Sequence, residues 1–311
     1  MGGRLYEWGN FTNFVIEMAM NTENIRVGNE SSLEVKGATY KEELSASYNL
    51  VVQVRSMSIG YAVLDPILNT YVAYGFMPLK GEDVHYAQQE EYILRNGVFS
   101  REYRKVIVVV DTPKKTLVPK SYFDAQKMTD VLKFVGFGIT ADEIVLSDEI
   151  ELASAVVVYA LPKFLYFFLK SQFRQLEVRH ALTTEVGAML LKHTSGDRES
   201  KLRVNVGNRW MDVILVKNNK LHLANRFKSP SANDFVYNIV NLISQTGLNE
   251  KDVKIEVGGA ILSEEDQKMV LLRRFVSNIE MDAMPQYYTY DFPRPMEEYR
   301  YSTLFRIPTC E

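Results

Sequence analysis

Cysteine is almost missing from this chain of 311 residues: the one thiol, Cys310, stands next to its end. No disulfide can form within the chain and no cysteine-ligated metal site can be built, which fits a reducing compartment. Histidine is scarce as well. His85, His180, His193 and His222 lie far apart, without the H-x-x-x-H spacing of a metal-binding helix. Excess positive charge is absent, since 36 Lys and Arg against 39 Asp and Glu leave a net charge of −3. The basic clusters are only Lys114-Lys115 and Arg273-Arg274, so nucleic acid is not an expected partner. Long apolar runs are also lacking. Residues 106–110, 153–162 and 164–169 are each shorter than a membrane span. The run from Phe11 to Met20 is broken by Asn13 and Glu17 and does not read as a secretory signal. The expectation is a cytoplasmic protein without membrane insertion. Nor does the chain carry a G-x-S-x-G elbow, a P-loop, a G-x-G-x-x-G turn or an H-E-x-x-H pair.

What is present is a well-patterned α/β chain, long enough to bury a sizeable core. Residues 1–46 show no sustained periodicity and are expected to be poorly ordered, with Met18 or Met20 as alternative starts. From Leu50 the pattern sharpens. Strands are predicted over 50–55, 58–64 and 70–76, with Asp65-Pro66 and Asn69 as the turn. Gly81-Glu82-Asp83 opens a helix that Gly97 ends. Residues 105–110 form a strand with no polar interruption, as in a sheet covered on both faces. Ser121 is read as the cap of a helix reaching Val135. The second half predicts strands over 202–206, 211–216 and 221–227, a helix capped by Ser231 or Asn233, a strand over 253–257 and a helix capped by Ser263.

The two halves lie over each other. Val52-Gln53-Val54 falls on Val204-Asn205-Val206, Tyr71 to Phe76 on His222 to Phe227, and Val106 to Val110 on Val253 to Val257, at a nearly constant offset. A shared order strand–strand–strand–helix–strand–helix predicts an internal duplication, hence two lobes facing a cleft. The first lobe is placed at 47–195 and the second at 196–311, joined by a polar linker over 194–200. Between the copies, strands over 142–146 and 153–160 and helices over 162–169 and 183–192 are predicted.

A duplicated pair of such lobes resembles the actin/hexokinase/Hsp70 ATPase superfamily. In detail the chain resembles a domain-of-unknown-function family, number 3822, of the Bacteroidota. Leu117-Val118-Pro119, Val156 to Lys163, Asp212-Val213-Ile214 with Lys220-Leu221, and Leu304-Phe305 to Cys310-Glu311 carry that resemblance, over about residues 45–311. It implies a duplicated actin-like (ribonuclease H-like) fold, with mixed five-stranded sheets flanked by helices, and assigns no activity. Actin-like proteins of type IV pilus and type II secretion assembly are comparable uses of such a fold.

The resemblance also says where a nucleotide would sit. An Asp followed two residues later by Gly in each phosphate hairpin would hold metal-bound water and admit backbone N–H groups to phosphate. Here Gln53 and Arg55 take those places in the first hairpin, and Asn205 with Gly207-Asn208 in the second. A Gly-Gly turn for adenine remains as Gly258-Gly259. A neutral amide is a poor Mg²⁺ anchor. Asp111, at a strand end, is the only carboxylate to consider as a kinase base, and such a residue is normally structural. Glu90-Glu91, Asp148-Glu149 and Glu264-Glu265-Asp266 read as solvated charge runs. The expected function is therefore a non-catalytic scaffold or interaction protein without catalytic or metal residues, binding a protein partner. The alternative is an ATP-binding switch using Gly207, Gly258 and Gly259. The Tyr-rich tail, Tyr287 to Pro295 with Tyr299 and Tyr301, reads either as a contact surface or as a wrap on its own lobe that ends in a strand over 303–307.

Overall fold

The computed structural model describes residues 26–27, 30–56, 58–79, 86–192, 200–248, 253–261, 263–295 and 297–306. Within the segment expected to be poorly ordered, β1 (Leu33–Lys36) is a strand. Then β2 (Asn49–Arg55), β3 (Ser58–Asp65) and β4 (Thr70–Pro78) form an antiparallel meander. The Asp65 carboxylate accepts from the N–H groups of Ile67 (2.9 Å) and Leu68 (3.1 Å), and Asn69 takes φ 52°. Those are the features of an Asx turn. After α1 (Tyr86–Arg95), β5 (Lys105–Val110) returns parallel to β2. The opening of the helix expected at 81–83, and most of the 194–200 linker, lie outside the described residues.

β6 (Lys115–Pro119), β7 (Glu143–Ile150) and β8 (Ala155–Pro162) make a separate antiparallel sheet, with α2 (Met128–Phe134) on it. Ser121 does not cap α2. It sits in a short 3-10 turn, and Asp124 caps a second one by accepting from the Gln126 N–H at 2.9 Å, so the helix starts only at Met128. α3 (Lys163–Gln172) follows, and then β9 (Leu176–His180), which joins the first sheet beside β5 and leads directly into α4 (Ala181–Lys192).

The second sheet holds β10 (Ser200–Val206), β11 (Trp210–Lys217), β12 (Lys220–Lys228), β13 (Val253–Gly259) and β14 (Ile279–Met281). Its order β12-β11-β10-β13-β14 matches β4-β3-β2-β5-β9 of the first sheet, with parallel pairs in the same places. Asn218 and Asn219, at φ 51° and 59°, make the two-residue turn between β11 and β12, the geometry a tight hairpin requires. Ser231 caps α5 (Ala232–Gln245) in a reciprocal box with Asp234. α6 (Gln267–Leu272) is capped by Asp266 instead of Ser263.

Period-two alternation sorts the strands. Leu202, Val204 and Val206 of β10, with Met211, Val213 and Leu215 of β11, pack on Phe235, Ile239, Met269 and Leu272 of α5 and α6. Their intervening neighbours, Arg203, Asn205, Asp212 and Ile214, belong to the opposite face, where Ile214 and Val216 join the core of the first sheet. That first sheet is indeed covered twice. Val52, Val54, Val108 and Val110 pack toward Ile93 and Leu169 of the helices. Val51, Ile107 and Val109 lie beneath Met284, Tyr288, Phe292, Leu304 and Phe305.

The C-terminal segment thus crosses to the first sheet. β15 (Thr289–Tyr290) pairs parallel with β4, so that among the described residues the first sheet has seven strands instead of five. Tyr288 and Tyr290 lie 5.0 and 5.7 Å from the Tyr71 ring, and Phe292 4.8 Å from Tyr74. Beyond α7 (Glu298–Tyr301) the chain turns through residues 304–306 as a 3-10 turn, so the expected closing strand is not formed. Leu304, Phe305 and Arg306 are all buried.

Candidate functional site

Gln53 and Arg55 stand one pleat apart on the β2 face that the tail covers. Both donate to one hydroxyl: Gln53 Nε2 lies 3.1 Å and Arg55 Nη2 3.0 Å from Thr303 Oγ1, and that hydroxyl is 3.3 Å from Gln53 Oε1. The residues at the expected metal and phosphate positions of the first hairpin are therefore tied to the tail.

In the second hairpin the Gly207 N–H donates to the Trp210 carbonyl at 2.8 Å, and the Trp210 indole lies over Gly207 so closely that a β-carbon there would overlap it. Asn205 is buried beside Gly258 in the β10–β13 register, and its Oδ1 has no hydrogen-bond partner among the described residues. Gly259 has φ 89°, and a β-carbon on it would collide with the Val206 carbonyl and Asn205 Oδ1. Gly258 faces Asp282 and the Tyr299 carbonyl, each 3.0 Å from where its β-carbon would be. Both glycines therefore have packing reasons within the chain itself.

Charged side chains gather on the inward face of the second sheet. Asp212 and Arg226 are cross-strand neighbours on β11 and β12, and Arg226 Nε donates to Asp212 Oδ1 at 2.9 Å. Arg226 Nη2 reaches Asp212 Oδ2 and, across the gap, Asp111 Oδ1, both at 2.5 Å. Lys115 adds a contact to Asp212 at 3.0 Å, and the Arg226 guanidinium stacks 3.7 Å over the Trp210 ring. Burial works against the Asp111 charge, but Arg226, Lys115 and Arg55 outweigh it and hold the carboxyl well below its ordinary range.

A second buried cluster lies further along. Arg203 Nη2 donates to Glu256 at 2.6 Å, its register partner, and Nη1 lies 3.4 Å from Glu185 of α4. Arg306, fully buried, pairs with Asp282, which also accepts from Ser302 Oγ at 2.7 Å. Burial opposes the Asp282 charge, yet Arg306 and Arg203 keep its carboxyl depressed.

Asp148 is not a solvated acid. It accepts from the His180 N–H (2.6 Å), Thr183 Oγ1 (2.9 Å) and Tyr159 OH (3.1 Å), and burial pushes its carboxyl up to about 6 against those bonds. His180 Nδ1 accepts from the Leu182 N–H at 2.9 Å while Nε2 lies 3.1 Å from the Thr112 carbonyl, which places the proton on Nε2. Burial holds its ring pKa down to about 3.

A cavity of about 320 Å³ opens between the two hairpin turns and brings Arg55, Gly207, Asn208 and Gly259 together, with Gln53, Asn205 and Gly258 outside its lining. A larger groove, about 560 Å³, runs between α5 and α6 past Tyr237 and Phe275, away from every predicted site residue. Trp210, Arg226, Lys115 and Thr303 were not foreseen. The available signal was a charged residue alternating with buried apolar ones, as in Met211-Asp212-Val213, but such a pattern reads equally as a solvated face.

Residues 38–279 match the family described as "Protein of unknown function (DUF3822)". The chain belongs to that family. The match starts earlier than the expected resemblance and stops before residues 304–311. Among solved structures, this DUF3822 chain is similar to a Bacteroides thetaiotaomicron protein with an actin-like ATPase fold and unknown function. The two are 18% identical, with a TM-score of 0.68 over 79% of this chain and 94% of that one. It is also similar to the PilM-PilN type IV pilus biogenesis complex, at 10% identity and a TM-score of 0.53 over 85% of this chain and 98% of that one. No curated protein matches it. The fold is thus the actin-like ATPase fold. Among the described residues no helix is long and apolar enough to cross a membrane.

Proposed function

We propose that this DUF3822 chain is a non-catalytic interaction or scaffold protein built on a duplicated, degenerate actin-like ATPase fold, acting in the cytoplasm through a protein partner. The observation that carries this reading is Arg226. Its guanidinium neutralises Asp111 and Asp212 together, which withdraws the two cleft carboxylates from any divalent ion. Where phosphoryl transfer needs metal-held charge and an unencumbered acceptor group, the pair meets neither need. Gln53 is committed to Thr303, Arg55 fills the place where a glycine would admit backbone N–H groups to phosphate, and Trp210 covers Gly207. A magnesium-bound triphosphate does not fit these residues, and we derive no step through one. The matching order of the two sheets supports the duplication and the lobe limits near 195. That the PilM neighbour is found in a complex with PilN is a precedent for a partner-binding use of the fold.

The competing reading, an ATP-binding switch, draws on the cavity that joins Gly207, Asn208 and Gly259. Phosphate release from ATP with Mg²⁺ separates the two. Release no faster than from the Asp111→Asn variant agrees with the proposal, whereas turnover that this variant abolishes overturns it. Calorimetric binding of ATP that disappears on chelating Mg²⁺ favours the switch.

A further inference from the structure

The cavity between the hairpins has a one-sided charge. Two arginines, Arg55 and Arg300, line it and no carboxylate does. Arg300 Nε lies 3.2 Å from Glu297 but has no hydrogen-bond partner among the described residues. Arg55 donates to the neutral Thr303 hydroxyl, and its Nε is likewise buried without a hydrogen-bond partner among the described residues. A buried guanidinium N–H without an acceptor is costly and calls for one. The rest of the lining combines the flat rings of Phe76 and Trp210 and the apolar Ile261 with the polar Ser56, Ser58 and Asn208. Trp210 is held in place by the stacked Arg226 guanidinium and by its packing against Gly207. At about 320 Å³ the space sits at the small end of ligand sites, which run from about 300 to 1,000 Å³.

We propose that this cavity binds a small organic oxyanion carrying a flat apolar body, without a metal ion. The proposal rests on the reading of the cleft as unable to seat a divalent cation. In it, the forked guanidinium of Arg55 supplies the charge that a magnesium ion supplies elsewhere, and it suits the planar two-oxygen face of a carboxylate or phosphate monoester. Phe76 and Trp210 hold the flat body, while Arg300 adds a second cation at the rim. The expected ligand is smaller than a nucleoside triphosphate and indifferent to Mg²⁺.

The test uses the full chain in calorimetry and thermal-shift titrations with three probes: AMP, indole-3-acetate and inorganic phosphate, each with excess Mg²⁺ and with EDTA. AMP and indole-3-acetate distinguish a phosphate ester from a carboxylate. The expected result is saturable binding of at least one of them at millimolar concentration or below. It should be the same within twofold in Mg²⁺ and EDTA, and at least tenfold tighter than inorganic phosphate. Arg55→Met should weaken it at least tenfold. Trp210→Leu serves as a second variant if Arg55→Met does not fold, while Tyr237→Ala in the distant groove should change nothing. No binding of either organic probe, binding that needs Mg²⁺, or an unchanged affinity in a folded Arg55→Met or Trp210→Leu protein would overturn the proposal. Absent binding or an unchanged variant affinity leaves the non-catalytic reading standing, whereas binding that needs Mg²⁺ counts against both.

Discussion

Arg226 and Asp111, 115 residues apart in the chain, share a 2.5 Å hydrogen bond that joins the end of β5 to the far strand of the second sheet. Removing this cation leaves two buried carboxylates to share Lys115 alone. Arg226→Met should destabilise the protein by about 3–5 kcal/mol, the usual cost of breaking a buried pair from one side. Asp111→Asn combined with Arg226→Met should lose clearly less than the two single losses together. Urea unfolding of the four proteins in a double-mutant cycle measures the coupling, and a value near zero would show that the bridge contributes no coupling.

Thr303 is the one hydroxyl that both Gln53 and Arg55 reach. Thr303→Val keeps the shape but removes the acceptor, leaving two donors unsatisfied. A loss of about 1–3 kcal/mol is expected, with increased proteolysis at the C-terminus. Thr303→Ser should retain most of the stability. Denaturant midpoints for the two variants settle the comparison.

Gly259 carries a φ of 89° and has no room for a β-carbon, while Gly97 has nothing within 4 Å of that position. Gly259→Ala should cost at least about 1–3 kcal/mol through strain and overlap. Gly97→Ala should stay within about 0.5 kcal/mol of the parent. Thermal melts of both variants check this contrast.

His180 and Asp148 pull the pH dependence of stability in opposite directions. The His180 pKa is held down to about 3, so the unfolded chain binds its proton first and stability falls as pH drops below about 6.5. The Asp148 carboxyl is pushed up to about 6, so the folded chain binds its proton first and stability rises as pH falls from about 6 towards 4. Between about pH 6 and 4 the two largely cancel. Asp148→Asn removes the second, and its stability should then fall by about 1.4 kcal/mol for each pH unit of acidification. Guanidinium unfolding at pH 7, 6 and 5 reads the slope. Equal slopes in parent and variant would refute the account.

Local chemistry made much of the fold legible. The Asn218-Asn219 turn, the Ser231 box and the uninterrupted apolar strand at 106–110 each follow from a few adjacent residues. What stayed hidden depends on contacts far along the chain. β9 and β14 are short strands, half-buried over most or all of their length, whose pattern is too brief to register. Ser121 precedes a 3-10 turn capped by Asp124 and the helix beyond it has no side-chain cap, while Ser263 lost its capping role to Asp266. At the candidate site, Gln53, Arg55 and Asn205 were picked out by position. That Thr303 and Arg226 would be the groups engaging this region could not be read from neighbours in sequence, since each comes from a segment more than a hundred residues away from Gln53 and Asp111 respectively.

The lid over Val51, Ile107 and Val109 comes from Met284, Tyr288, Phe292, Leu304 and Phe305, which follow the strands they cover in chain order. During synthesis those strands must wait with an oily side facing water until this later segment has emerged. The first sheet is therefore completed by residues made well after its own strands. Products shortened before residue 284 should clump in the cell, and their rescue should depend on chaperones that shield exposed apolar surface.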